Sequence, residues 1–173
     1  MSISLTGQAI KTMIIHAING YEKRGKKESG GHLLGYKNGN RYCVAIAEPY
    51  MIPSASAART WWGPNQASFA RKGRTLENDL GVRWVGVYHT HVEIAQSMRT
   101  GQSDEDKMLH VEPVQIIVSI TNGKMSFPEG SLRVQIMKRG YKCCVRGWTK
   151  DSQGRSKVAR VNSKTKRIPL GFL

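Results

Sequence analysis

Residues 84–91 read WVGVYHTH, a run of β-branched and aromatic residues that ends in two histidines. With its flanks, this composition predicts a buried β-strand over residues 82–91. Side chains two residues apart in a strand point to the same side, so His89 and His91 can converge on one ion. Because neutral imidazole is a common zinc ligand, the stretch predicts a metal site at the end of this strand.

A carboxylate that could complete the ligand set lies at the start of the next predicted helix, residues 103–110. Ser103 suits the N-cap, and Asp106 falls in the first turn, where acidic side chains interact favourably with the helix dipole. Two histidines and one aspartate leave a fourth position for water, as in hydrolytic zinc sites. Asp104 is the alternative ligand, and it also suits a purely structural role at the helix start.

A hydrolytic zinc site needs a general base beside its water. The candidate is Glu28, which ends the charged segment YEKRGKKE (residues 21–28) and immediately precedes SGGHLLG (residues 29–35). A glutamate in a charged segment is also typical of a solvated surface. Taken alone, the residue pattern favours this second interpretation of Glu28.

The remaining patterns predict one mixed α/β domain. Helices are predicted over 5–19 and 65–80, and further strands over 32–36, 41–48, 114–120, 131–137 and 141–148. Residues 37–40 read KNGN, which is typical of a tight turn between two strands. Alternation of helices and strands in this order favours a mixed central β-sheet flanked by helices.

Two of these segments together resemble the JAMM, or MPN+, zinc metalloprotease domain. Residues 28–35, ESGGHLLG, resemble its E-x-x-G-x-L-x-G opening. His89-Thr90-His91 followed by residues 103–106, SDED, resembles its H-x-H…S-x-x-D signature. The resemblance covers roughly residues 5–137 and implies a cytidine-deaminase-like JAMM/MPN fold of the stand-alone prokaryotic or viral type. The chain departs from the family pattern at Val92, where proline is usual, and in a longer segment before the serine.

The resemblance also implies a role for each candidate residue. His89, His91 and Asp106 would bind Zn²⁺, Glu28 would deprotonate the attacking water, and Ser103 would stabilise the oxyanion. The implied activity is that of a deubiquitinase-like isopeptidase, which hydrolyses the bond between the C-terminus of a ubiquitin-like protein and a target lysine or C-terminal extension. A related RadC-like branch offers the alternative of a nucleic-acid-associated protein.

Charge is concentrated at the C-terminal end. The whole chain has 27 Lys and Arg and 12 Asp and Glu, a net charge of +15. From Arg133 onward there are twelve basic residues and one acidic residue, Asp151, so this part carries +11. We therefore expect a metalloprotease-like domain over 1–148 and a basic tail or extension over 149–173. Such a basic segment favours an acidic partner, either a protein surface or nucleic acid.

Cysteine content and hydropathy bear on location. The three cysteines, Cys43, Cys143 and Cys144, form no CxxC pair, which favours a reducing compartment. The N-terminal residues lack the basic, apolar and small-residue pattern of a signal peptide. No stretch approaches the roughly 18 apolar residues of a membrane helix. The sequence therefore predicts a cytoplasmic protein with no membrane partner.

Overall fold

A computed structural model describes residues 1–22, 27–50, 65–92, 100–103, 106–107, 112–136 and 140–163. Two helices and eight strands are defined within these ranges. In chain order they are β1 (Ser2–Leu5), α1 (Gly7–Glu22), β2 (Gly30–Asn38), β3 (Arg41–Tyr50), α2 (Gln66–Leu80), β4 (Arg83–Val92), β5 (Val114–Thr121), β6 (Leu132–Ile136), β7 (Tyr141–Lys150) and β8 (Ser156–Ser163).

The strands form a closed barrel. Hydrogen-bonded neighbours run in the order β5-β4-β2-β3-β1-β8-β7, and β7 pairs again with β5 to close a ring of seven strands. Strand β6 adds to the free part of the β7 edge. Strand β1 lies parallel to β3 and β8, and β4 lies parallel to β5, whereas the other pairs are antiparallel.

The expected fold, a mixed central β-sheet flanked by helices in a cytidine-deaminase-like JAMM/MPN arrangement, is wrong. The chain is mostly β, with about half of the described residues in strands and about a quarter in helices, and its sheet closes on itself. The sequence patterns missed β1 and β8, and the ring cannot close without them. In β8 the inward residues are Ala159 and Val161, a weak apolar signal between exposed basic residues.

The expected boundary between residues 148 and 149 falls inside a strand. Strand β7 continues to Lys150, and β8 pairs with both β1 and β7. The described part of the basic segment, 149–163, is therefore integrated into the barrel and does not form a separate tail. Residues 164–173 lie outside the described residues.

Strand β4 separates two packing environments. Tyr88 and Val92 join the main core cluster, which also contains the apolar side of α1. Val87 points the other way and packs with Phe69 of α2 in a second, smaller cluster. Because side chains alternate along a strand, the two histidines that follow Val87 at two-residue steps share its face. The interior is thus filled by apolar side chains and α1, and the histidines lie on the α2 side of the sheet.

Helix α2 has defined ends and a close contact with the sheet. The side chain of Asn65 caps its start by accepting a hydrogen bond from the Ser68 N–H at 3.0 Å, and Gly81 ends it in the left-handed conformation, with φ 62°. At Gly73 an added Cβ would come within 2.7 Å of the Trp84 ring, so glycine permits the close packing of α2 on β4. Within the described ranges, neither helix is both long and apolar enough to cross a bilayer.

His32 is a buried residue of β2 that contacts α2. Its side chain is 0% exposed and stacks on the Phe69 ring with 3.8 Å between centroids. Its Nε2–H donates to the Phe69 carbonyl oxygen at 2.8 Å, and its Nδ1 has no partner among the described residues. Burial lowers the pKa of His32, Lys72 lowers it further, and the bond to Phe69 only partly opposes both effects. The folded protein therefore holds this imidazole neutral.

We predict that His32→Leu reduces the acid sensitivity of the fold. The unfolded chain protonates His32 near pH 6.5, whereas the folded chain resists protonation, so wild-type stability falls as the pH drops below that value. Between pH 7.5 and 5.5 the metal-free wild type should lose about 1 kcal/mol more unfolding free energy than the variant. Urea denaturation at both pH values measures this difference. Equal losses in the two proteins would contradict a neutral buried His32.

Candidate metal centre

Three side chains from two segments meet on the outer face of β4. His89 Nε2 lies 2.7 Å from Asp106 Oδ1, and His91 Nε2 lies 3.3 Å from both Asp106 oxygens. The two Nε2 atoms lie 3.3 Å apart. His89, His91 and Asp106 are 1%, 8% and 5% exposed. The structure therefore brings the three predicted metal ligands together in one buried group that could hold a metal ion.

Ser103 and Asp106 fix each other at a helical turn. The Ser103 N–H donates to Asp106 Oδ2 at 2.6 Å, and the Asp106 N–H donates to Ser103 Oγ at 3.2 Å. The Lys107 N–H also donates to the Ser103 carbonyl oxygen at 3.1 Å, as expected for the first turn of a helix. Ser103 is thus the predicted N-cap, and this cap orients the Asp106 carboxylate. The alternative ligand, Asp104, lies outside the described residues.

Two glutamine side chains, one of them fully buried, hold the same turn from the other side. Gln115 of β5 is 0% exposed, and its Nε2 donates to the Asp106 carbonyl oxygen at 2.6 Å. Gln102 donates to the Gln115 side-chain oxygen, and Ser156 Oγ of β8 donates to Gln102 Oε1 at 2.9 Å. Asp106 is therefore anchored to two barrel strands through groups outside the predicted motif.

Glu28 is positioned by its neighbour in the chain. The Thr90 N–H donates to the Ser29 carbonyl oxygen at 2.7 Å, and the Ser29 N–H donates to Thr90 Oγ1 at 2.9 Å. Gly30 pairs with His89 in the antiparallel β2–β4 ladder. Continued by two residues, this register sets Glu28 opposite His91 and on the same face. Glu28 is 9% exposed, so it is a buried carboxylate and not part of a solvated linker surface.

The electrostatics of the centre favour a neutral His89 and an ionised aspartate. Burial lowers the pKa of His89, although its hydrogen bond to Asp106 opposes this effect. Burial by itself would raise the pKa of Asp106, but the hydrogen bonds from His89 and His91 hold that pKa well below its usual range. Neutral imidazole nitrogens and an ionised carboxylate are the protonation states that bind a cation.

The donor set fits a divalent transition metal. Two imidazole nitrogens and one carboxylate oxygen are typical ligands of catalytic zinc and of other first-row ions. The group contains no cysteine. Cys143 and Cys144 are buried elsewhere in the barrel, and burial raises the pKa of both thiols. Three protein donors can leave a coordination position for water or substrate, so the arrangement suits Lewis-acid chemistry.

Sequence patterns alone did not find the supporting residues. These supporting residues are distant in sequence from the residues that they contact, so only the folded barrel brings them to the site. They are Gln115, Gln102 and the Ser29–Thr90 pair. The one signal in the sequence is Gln115 itself, a polar residue within the otherwise apolar start of the strand VQIIVSIT, residues 114–121. A polar side chain at a fully buried strand position needs hydrogen-bond partners. Its burial therefore predicts that it binds, and so orders, a neighbouring polar segment of the chain.

Comparisons with known proteins support the fold and leave the activity open. No family model matches the chain, and no curated protein matches it either. Among solved structures, it resembles the solution structure of a Desulfitobacterium hafniense protein, with a TM-score of 0.58 and 16% sequence identity. That match covers 95% of this chain and 94% of the other. At this identity the likeness concerns the fold alone.

We predict that Gln115→Met weakens metal binding. The substitution keeps the side-chain length but removes the donor to the Asp106 carbonyl oxygen, so the ligand turn loses an anchor. Changes to groups that orient metal ligands typically reduce affinity by about 10- to 100-fold. Competition between the protein and a chromophoric chelator for zinc measures the effect. Gln135→Met on the exposed side of β6 is the matched control.

The control should bind zinc like the wild type. Thermal denaturation of each metal-free variant shows whether the barrel is intact. Wild-type affinity in a folded Gln115→Met protein would contradict the anchoring role.

Proposed function

We propose that this chain is a zinc-dependent peptidase or isopeptidase of the JAMM type. Its substrate is the bond between the C-terminus of a ubiquitin-like protein and a target lysine or C-terminal extension. The spacing of the metal donors carries the zinc assignment. Ligand atoms about 2.0–2.1 Å from a tetrahedral zinc lie roughly 3.3–3.4 Å from one another. His91 Nε2 lies at such a distance, 3.3 Å, from both His89 Nε2 and Asp106 Oδ1. His89 Nε2 and Asp106 Oδ1 are hydrogen-bonded at 2.7 Å, so this pair would separate by about 0.6 Å when both atoms bind the ion.

The fold positions each of the proposed ligands. The two histidines present Nε2 from adjacent outward positions of one strand, and the cap at Ser103 orients the carboxylate of Asp106. A zinc ion bound here supplies a Lewis acid that lowers the pKa of a water molecule to about 7 and polarises a carbonyl group. The barrel supplies rigidity, because β4 pairs with β5 as far as Val92 and with β2 as far as His89.

Glu28 acts as the general base and then as the general acid. Its carboxylate takes a proton from the attacking water and transfers it to the nitrogen of the leaving amine. The Ser29–Thr90 hydrogen bonds support this assignment, since they tie the residue after Glu28 to the residue between the two histidines. Its location opposite His91 brings the carboxylate to the metal-binding face.

Ser103 can stabilise the oxyanion while it caps the helix. As the cap, its Oγ accepts a hydrogen bond from the Asp106 N–H. A hydroxyl group has two acceptor lone pairs and one donor proton, so this role leaves its proton for another acceptor. Donation to the negative oxygen of a tetrahedral intermediate lowers the barrier, and loss of one such donor typically costs about 10²–10³ in rate.

The class of substrate rests on the motif resemblance. The combination of Glu28, the H-x-H pair and Ser103 with Asp106 is the pattern of enzymes that release ubiquitin-like proteins. In that reaction water adds to the carbonyl carbon at the C-terminus of the modifier, and the bond to the lysine nitrogen breaks. The products are a free carboxylate on the modifier and a free amine on the target.

We predict that Glu28→Gln retains zinc and loses turnover, because the amide cannot accept the proton. A general base typically contributes about 10²–10⁴ in rate. In cells that normally carry this protein, the variant should accumulate a small protein joined through its C-terminus to lysines. Mass spectrometry of conjugates, compared with wild-type cells, detects that linkage and identifies the modifier.

Two further variants test the assignment of the ligands. Asp106→Ala should lose zinc and accumulate the same conjugates, whereas Asp104→Ala should keep zinc and accumulate none. Zinc loss in Asp104→Ala with full zinc in Asp106→Ala would show that the wrong aspartate is assigned. Absence of accumulated conjugates in a folded, zinc-loaded Glu28→Gln protein would contradict the isopeptidase function.

A further inference from the structure

The four strands that follow the candidate metal ligands in the chain carry basic residues and no acidic ones. Strands β5, β6, β7 and β8 together contain no Asp or Glu. Their basic residues are Arg133, Lys142, Arg146, Lys150, Lys157 and Arg160. Every charged side chain of these four strands is therefore a cation, and Glu112, just before β5, lies close enough to interact with Lys150.

The strand registers place five of these six cations on the face of the metal ligands. His91 pairs with Ser119, Ser119 with Cys144, and Cys144 with Arg133, so these four residues form a row across β4, β5, β7 and β6. Residues paired across a ladder project to the same face of a sheet. On β7 the same face recurs every second residue and includes Lys142, Arg146 and Lys150.

Burial of the alternate residues confirms this assignment. Val145 of β7, Val134 of β6 and Val161 of β8 all lie in the main core cluster. Their chain neighbours Arg133 and Arg160 accordingly point outward, and both are exposed. Lys157 is the exception, since it pairs with Thr149 on the core-facing side. The cationic face is defined here as Arg133, Lys142, Arg146, Lys150 and Arg160.

We propose that the cationic face docks an acidic surface of the same protein whose C-terminal tail enters the metal centre. This inference rests on the proposed isopeptidase function and adds the place and charge of the docking surface. Arg146 pairs with Ile117, which in turn pairs with His89, so only one strand separates β7 from the metal-bearing β4. Two strand spacings are about 10 Å, a distance that a single folded partner spans easily.

The cationic side chains are partly held in place by the fold. Arg146 Nη1 donates to the Thr100 carbonyl oxygen at 3.0 Å, and its guanidinium lies 5.0 Å from the centre of the Trp148 ring. Lys142 Nζ donates to the Gly123 carbonyl oxygen at 2.9 Å. Ordered side chains lose less entropy on binding, so this face is prepared for a partner of complementary shape.

Two features favour an acidic protein over nucleic acid. Cations on this face of β7 stand four residues, or about 13 Å, apart, whereas each nucleic acid strand carries one charge per about 3.4 Å. The Trp148 ring is 4% exposed and cannot stack on a base, but Val158 beside it is 57% exposed.

The test combines a charge reversal with a matched control in the full chain. Arg133→Glu with Arg160→Glu changes two exposed residues of the cationic face. Arg41→Glu with Arg71→Glu makes the same change in net charge at exposed positions on β3 and α2. The face variant should accumulate the conjugates that Glu28→Gln accumulates, and the control variant should not. Both should keep wild-type zinc content.

The outcomes separate failure of the docking surface from failure of the function. Conjugates that accumulate in Glu28→Gln but not in the face variant would overturn the docking proposal and leave the isopeptidase function standing. Conjugates in neither would overturn both. Equal accumulation in the face and control variants would show an effect of net charge alone and would also overturn the docking surface.

Direct binding then distinguishes the class of partner. Fluorescence anisotropy is measured with labelled poly-L-glutamate and with a labelled short DNA duplex, at near-physiological salt. The face variant should bind poly-L-glutamate about tenfold more weakly than the control does. Tighter binding of DNA than of poly-L-glutamate by the wild type, lost in the face variant, would assign the cationic face to nucleic acid instead.

Discussion

The position of β4 between an antiparallel and a parallel neighbour is the constraint on which the candidate metal centre depends. Pairing with β2 as far as His89 and with β5 as far as Val92 fixes the orientation of the side chains in the histidine segment. Tyr88 and Val92 can enter the apolar core only if His89 and His91 face the other way. A shift of register by one residue would bury both imidazoles among apolar side chains, so core packing itself orients the ligands.

The third ligand depends on a different part of the barrel. Asp106 lies in a helical turn outside the strands. The Ser103 N–H binds its carboxylate, and the side chain of Gln115 from β5 binds its carbonyl oxygen. Gln102 extends this contact to Ser156 at the start of β8. The segment that carries most of the positive charge is therefore connected to the metal centre by hydrogen bonds. The position of Asp106 therefore depends on the same strands, β5 and β8, that close the barrel.

Local patterns in the sequence predicted which three residues come together at the candidate metal centre, but they did not predict the architecture. The apolar alternation around β4 and the capping signal at Ser103 act within a few residues, and the structure agrees with both. Closure depends on the pairing of β1 with β8, which are about 160 residues apart, and on β7 meeting β5. The alternation of apolar and polar residues within one strand does not show which distant strand it pairs with. In β8 the alternation of apolar and polar residues is weak, because its exposed positions include basic side chains. Its composition therefore predicts a basic tail instead of a strand.

X-ray absorption at the zinc edge of the reconstituted protein tests the central claim most directly. His89, His91 and Asp106 should give nitrogen and oxygen donors at about 2.0–2.1 Å, with the multiple scattering of two imidazoles and one ion per chain. A sulfur shell at about 2.3 Å would place the metal on a cysteine. That result, or a shell without imidazole, would contradict the assignment of this group as the metal centre.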